Sequence, residues 1–209
     1  MDHTLNQKQP ATFTDILRVR FKNVLDPIGA FLNKIGVTPN MITMLGLTGN
    51  VLAALLIARG QIVWGGVVVL LMGPLDAVDG TMARLRGAPT RFGGVLDSVV
   101  DRYSELLILG GLLIYFTGLQ DSLSILLTYL AAAGSVLVSY VKSRAETAGF
   151  FIKGGLLTRV ERYIITALFL LLNQPMIVIW VLAVLANFTA FQRMWLVRKM
   201  AVEQKDLIS

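Results

Sequence analysis

Residues 62–117 read IVWGGVVVLLMGPLDAVDGTMARLRGAPTRFGGVLDSVVDRYSELLILGGLLIYFT, two long apolar runs joined by a short polar link, with acids buried in both. Each run is close to the ~20 residues a helix needs to cross a bilayer. The link, Arg86 to Thr90, is short enough to force an antiparallel hairpin. Gly73 and Pro74 mark a kink in the first run. Asp76 and Asp79 are three apart, Asp97 and Asp101 four apart, so each pair shares a helix face. At ~1.5 Å per residue, Asp79 and Asp97 lie at similar depth, roughly 8 Å from their helix ends, and Asp76 and Asp101 about one turn deeper. The spacing therefore predicts four carboxylates facing one another at one level of a membrane.

The rest of the chain repeats the pattern. Runs from Met41 to Ala58, Ile62 to Arg84, Gly93 to Thr117, Leu123 to Lys142, Tyr163 to Leu172 with its flanks, and Met176 to Leu196 predict six spans. Of the 209 residues, 55% are hydrophobic and 15% charged, with a mean hydropathy of +0.68. That composition excludes an aqueous globular enzyme. There is no Cys, which excludes disulfides and thiolate sites, and the single His3 leaves no histidine cluster for zinc or a triad. The predicted class is all-α, an integral membrane bundle of six transmembrane helices with an N-terminal interfacial amphipathic helix.

Charge sets the orientation. Lys8, Arg18, Arg20, Lys22 and Lys34 precede the first span; Arg84, Arg86 and Arg91 separate spans two and three. Lys142, Arg144, Lys153, Arg159 and Arg162 lie between four and five; Arg193, Arg198, Lys199 and Lys205 end the chain, and the opposite links hold only Arg59 and Asp121. By the positive-inside rule both termini, and the acidic cluster, face the cytoplasm of a multi-pass protein in the cytoplasmic membrane. The net charge of +6 suits anionic lipid, and no aromatic-interleaved basic patch points to nucleic acid. Phe13, Leu17, Phe21, Val24, Ile28, Phe31 and Ile35 repeat at helical spacing before the first span, with Arg18, Lys22, Asp26 and Asn33 between them. This helix either lies in the cytoplasmic interface or packs on the protein's own cytoplasmic face, and the two are compatible. Thr38, Pro39 and Asn40 supply the turn and cap that follow. The organisation read is a cytoplasmic segment 1–38, a membrane domain 39–200 and a cytoplasmic tail 201–209.

Residues 76–105 hold five of the thirteen acids, the fifth being Glu105. Each ionised acid inside a membrane costs about 2.5–3.5 kcal/mol even on the lenient insertion scale, and like charges add repulsion. Compensation comes from shared protons, arginine partners or divalent cations. An all-oxygen set suits Mg²⁺ or Mn²⁺; the plainer alternative pairs the aspartates with Arg84, Arg91 and Arg102. Gly80, Ala83, Gly93 and Gly94 beside the acids leave room for a flat group or phosphate, or for close helix packing.

The positions Asp76, Asp79, Gly80, Ala83, Arg84, Gly93, Asp97 and Asp101 match DxxDGxxAR(x8)GxxxDxxxD throughout. The chain thereby resembles the CDP-alcohol phosphotransferase family, membrane enzymes, usually homodimers, that move a phosphatidyl-type group from a CDP-linked lipid to an alcohol and release CMP. The resemblance implies that Asp76, Asp79 and Asp97 hold the metals, with Asp101 sharing that shell or acting as general base. It places Gly80, Ala83 and Gly93 beside the cytidine and Arg84 at the diphosphate. Ser139, Tyr140, Lys142, Arg144 and Glu146, then Arg159, Glu161 and Arg162, resemble two stretches of bacterial phosphatidylinositol phosphate synthases, although Ser143, Thr158 and Val160 stand where Ala, Glu and Pro are usual. That likeness implies Lys142, Arg162 and Arg193 as ligands of the phosphate of inositol 1-phosphate. For arbitrary basic residues here, snorkelling to the interface is the simpler role. The expected donor is CDP-diacylglycerol or CDP-archaeol. A second reading keeps the chemistry with glycerol 3-phosphate or another alcohol as acceptor, and a third takes the acidic cluster as the pathway of a divalent-cation transporter.

Overall fold

The computed structural model describes residues 13–87, 90–152 and 155–206, with side chains placed from Arg20 to Glu203. His3, Lys8 and Lys153 lie outside the described residues, and the Phe13, Leu17, Arg18 and Lys205 side chains outside the described side chains. The described residues form seven helices and no strand: α1 (Phe13–Lys34), α2 (Pro39–Ala58), α3 (Ile62–Leu85), α4 (Arg91–Gly118), α5 (Ser122–Thr147), α6 (Arg159–Leu171) and α7 (Pro175–Asp206).

Their starts follow from capping chemistry. The Thr38 hydroxyl accepts the Met41 N–H at 3.3 Å with Pro39 in the first turn, and Thr90 accepts the Gly93 N–H at 3.0 Å. Asp121 accepts the Ser124 N–H at 3.1 Å. Thr158 and Glu161 form a capping box at the start of α6, which gives the unusual Thr158 a local task. At the acidic hairpin α3 ends at Leu85, and Gly87, two residues on, has a φ of +77°, a left-handed turn that a residue with a Cβ adopts at a cost. α3 runs helical through Pro74.

Four helices, α2, α3, α5 and α7, are long and apolar enough to cross a membrane, so this is a membrane protein. The other two expected spans are different. α4 has the length, 28 residues, but carries Asp97, Asp101, Arg102 and Glu105. α6 has only 13 residues, about 20 Å of helix against a hydrocarbon core of about 30 Å.

α2 lies against α3 and α4, α5 against α7, and α6 against α3. Ile57, Val69, Leu109, Leu112, Leu170, Ile179 and Leu182 fill the centre, while Leu52, Trp64, Leu71, Ile114, Tyr129, Trp180 and Phe188 point outward. α3 and α6 meet at Gly66, where an added Cβ would stand 2.8 Å from both Leu170 Cβ and Leu171 N. Gly66→Ala must push α6 away, and a loss of about 1–3 kcal/mol is expected, read as a lower thermal midpoint in detergent.

α1 packs on the protein through one of its faces. Leu25 and Leu32 pack with Ile42, Val78 and Met82. Asn33 Nδ2 donates to the Met82 carbonyl at 3.1 Å, and Arg86 Nε donates to Asn33 Oδ1 at 2.6 Å. The other face, Phe21, Val24, Ile28, Phe31 and Ile35, is the stripe visible in the sequence, and it stays exposed.

Candidate active site

The α3–α4 hairpin puts its acids opposite one another, as their register requires. Asp76, Asp97 and Asp101 each offer a carboxylate oxygen, and these oxygens lie within 4.8 Å of one another. The cluster is graded in depth: the Asp76 side chain is 40% exposed, Asp97 is half-buried and Asp101 buried. Asp79, also buried, turns toward α2, where Thr43 Oγ1 donates to its Oδ2 at 2.6 Å. It remains within electrostatic reach of Asp76 and Asp97. Three of the four expected carboxylates thus share one space, and the fourth is turned to Thr43 instead.

The arginine facing the acids comes from another helix. Arg159, the first residue of α6, donates Nη1 and Nη2 to the two oxygens of Asp76 at 2.9 and 3.0 Å and pairs with Asp101 as well. Among the arginines of the plainer alternative, Arg102 donates to the carbonyl of Ser98 on its own helix, and Arg84 donates to Thr81 Oγ1 at 2.8 Å.

A divalent cation fits this donor set. Arg159 on Asp76 and Asp101, with Arg102 within electrostatic reach of Asp97, faces the four carboxylates of Asp76, Asp79, Asp97 and Asp101, which leaves negative charge uncompensated. Oxygens around an octahedral Mg²⁺ at ~2.1 Å stand about 3 Å apart when adjacent and about 4.2 Å across, within the spread seen here. The set holds oxygen alone, as hard cations require. Thr43 orients the neighbouring Asp79 without adding charge. Thr43→Val keeps the shape but strips a buried carboxylate of its donor, a loss worth about 1.5–3 kcal/mol. The expected outcome is a Mg²⁺ concentration for half-maximal activity raised by about ten- to a hundredfold, with the fold unchanged by circular dichroism.

Open space lies beside the acids. A Cβ at Gly80 would meet only Arg84 Nη1, at 3.5 Å, and one at Gly94 nothing within 4 Å. Gly93 is tighter, since its Cβ would stand 2.8 Å from Thr90 Oγ1 and 3.4 Å from Asn40 Oδ1, so glycine there lets α4 start against α2.

The predicted acceptor cations are placed unequally. Lys142 is exposed and pairs with Glu146 at 3.8 Å. Arg162 is buried, with Nε and Nη2 on the two oxygens of Glu105 at 2.6 and 2.9 Å. Arg193, also buried, donates Nη1 to the Val138 carbonyl at 2.7 Å and lies within electrostatic reach of Arg162, Glu146 and Glu161. The structure therefore brings Arg162 and Arg193 together and leaves Lys142 exposed, paired with Glu146 on its own helix.

Sequence reasoning missed Thr43, the attachment of Arg159 to both Asp76 and Asp101, and the pairing of Glu105 with Arg162. One signal was present: Glu105 follows Asp101 by four residues and Arg162 follows Arg159 by three, so each pair continues along one helix face.

The sequence model of CDP-alcohol phosphatidyltransferases matches residues 36–202. A phosphatidylinositol phosphate synthase of Mycobacteroides abscessus is 37% identical over 190 residues, covering 87% of this chain and 86% of its own. Among solved structures, the Mycobacterium tuberculosis phosphatidylinositol phosphate synthase with CDP-DAG bound superposes with a TM-score of 0.78 at 34% identity, over 84% of this chain and 94% of that one. The same enzyme in complex with manganese and citrate gives 0.77 at 34% identity, over 83% and 88%.

Proposed function

This chain belongs to the CDP-alcohol phosphatidyltransferase family, and from that premise we propose that it transfers the phosphatidyl group of CDP-diacylglycerol to inositol 1-phosphate, giving phosphatidylinositol phosphate and CMP. The observation that carries the reading is the convergence of Asp76, Asp97 and Asp101 within 4.8 Å, joined by Arg159 at the start of α6, with the buried Arg162 one turn further along that helix and within electrostatic reach of the buried Arg193.

In this reading Asp76, Asp79, Asp97 and Asp101 hold the divalent cation. When bound, the cation neutralises diphosphate oxygens and stabilises the charge that grows on the leaving phosphate. Arg84 meets the diphosphate, and Gly80, Ala83 and Gly93 border the cytidine. Lys142, Arg162 and Arg193 grip the acceptor's phosphate, a dianion that suits clustered guanidinium donors. Asp101, the deepest acid of the three, takes the proton of the acceptor hydroxyl. The hydroxyl oxygen then bonds to the lipid-side phosphorus, the bond from that phosphorus to the bridging oxygen breaks, and CMP leaves with the electron pair. Arg159, shared by Asp76 and Asp101, keeps the two carboxylates in register.

The same reading completes the membrane bundle with α4 and α6 as the third and fifth of six spans and lays α1 in the interface by its exposed stripe. Lys and Arg concentrate at the end that holds the acids, which puts the active site at the cytoplasmic face. Residues 39–200 form the catalytic domain, and the homodimer implied by the resemblance belongs to the same proposal. Family membership sets the transporter reading aside.

The test is an acceptor panel. Purified protein in detergent receives CDP-diacylglycerol, Mg²⁺ and, separately, inositol 1-phosphate, glycerol 3-phosphate and unphosphorylated inositol, with CMP release as readout. Turnover with inositol 1-phosphate alone is expected; preference for glycerol 3-phosphate would reassign the acceptor, and equal use of inositol would remove the phosphate grip.

A further inference from the structure

Glu105 lies one helical turn beyond Asp101 on α4, and Arg162 one turn beyond Arg159 on α6. Two ion pairs therefore connect the same faces of α4 and α6, Asp101 with Arg159 and Glu105 with Arg162. Their rungs on α4 are about 6 Å apart along the helix axis. The first rung contains the proposed base, and the second contains a proposed ligand of the acceptor.

The second rung is the more enclosed. The Arg162 side chain is 1% exposed and that of Glu105 21%. Its hydrogen bonds follow the side-on, two-pronged geometry that fixes a guanidinium plane. Arg162 has five N–H donors; Glu105 takes two and the Leu157 carbonyl, 3.3 Å from Nη1, takes one, leaving two for an anion. The neighbouring guanidinium of Arg193 would repel that of Arg162 in so dry a place. Glu105 on Arg162, with Glu146 and Glu161 in electrostatic reach of Arg193, offsets that repulsion before any anion arrives.

We infer that Glu105 is a positioning residue for the acceptor: its carboxylate holds the Arg162 guanidinium in the plane from which the two remaining N–H groups meet the acceptor's phosphate. The inference rests on the acceptor pocket proposed above. The two rungs also set the distance between the base and the phosphate grip, because both are fastened to one face of α4. A buried ion pair that merely tied α4 to α6 would alter stability and leave the two substrates' KM values in their original ratio.

Steady-state kinetics with CDP-diacylglycerol and inositol 1-phosphate separate the two roles. Glu105→Gln keeps one acceptor oxygen and turns an NH2 group onto an N–H donor, so Arg162 must rotate. The expected result is an acceptor KM raised about tenfold with the donor KM within about twofold, while Glu105→Asp, which keeps the charge, recovers most of the loss. Because Glu105 acts through Arg162, Glu105→Gln/Arg162→Gln should have the same acceptor KM as Arg162→Gln alone. That comparison decides the matter if Glu105→Gln does not fold, since two neutral amides can pair with each other. An unchanged acceptor KM in Glu105→Gln, or a double variant well above Arg162→Gln, would overturn the inference. If Arg162→Gln itself leaves the acceptor KM at the wild-type value, the pocket assignment fails first, and the inference with it.

Discussion

Asp101→Asn is expected to lower turnover by about 10²–10⁴-fold while CDP-lipid binding stays within about threefold of the wild type. The amide has the size and shape of the carboxylate, so the buried site does not need to repack. What it cannot do is accept the hydroxyl proton as the new phosphorus–oxygen bond forms. Arg159 keeps its two hydrogen bonds to Asp76 at 2.9 and 3.0 Å, which holds α6 in place. Asp76 and Asp97 remain to carry the cation and, through it, the diphosphate. CMP release measures the first effect and equilibrium binding of CDP-diacylglycerol the second. Unchanged turnover would remove Asp101 as the base; joint loss of binding and turnover would assign it to cation binding alone.

Arg162→Ala should raise the apparent KM for inositol 1-phosphate by about 10- to 100-fold, the loss of one to two charge-assisted hydrogen bonds, with the KM for the lipid donor little changed. The same substitution strands Glu105, 21% exposed at its side chain, without its guanidinium. Removing one partner of an enclosed pair costs about 3–5 kcal/mol, so the thermal midpoint should fall as well. The two effects separate cleanly: instability lowers the amount of active enzyme, whereas lost recognition shifts the acceptor concentration at which the remaining enzyme half-saturates. Indifference of the acceptor KM to Arg162 would mean that Arg162 serves only to tie α6 to α4.

What the sequence disclosed was mostly information carried within one helix or one hairpin. The spacing of Asp76, Asp97 and Asp101 across a short link dictates their convergence, and Thr38 followed by Pro39 is a helix start whatever the tertiary structure. Pairings between distant helices have no such local signature. Arg159 is 83 residues from Asp76, and nothing in either segment says which helix faces which. Thr43 likewise lies 36 residues from Asp79 in a run that hydropathy describes only as apolar. The amphipathic stripe of α1 was legible because Phe21, Val24, Ile28, Phe31 and Ile35 are large. Its packed face was not, because Gly29 contributes no side chain to contacts that bring Thr81, Met82 and Leu85 close. The fifth span was read from apolar content, yet α6 begins with Arg159, Glu161 and Arg162, and polar groups occupy its first turn as they reach the site.

The claim on which the chemistry depends is that the acids of α3 and α4 form one cation site. Titration of the purified protein with Mn²⁺, followed by the electron paramagnetic resonance of the free ion, tests it most directly. The wild type should deplete the free signal, Mg²⁺ should restore it by competition, and Asp76→Asn and Asp97→Asn should each weaken uptake by at least about tenfold. Uptake of Mn²⁺ by both variants equal to that of the wild type would contradict the account.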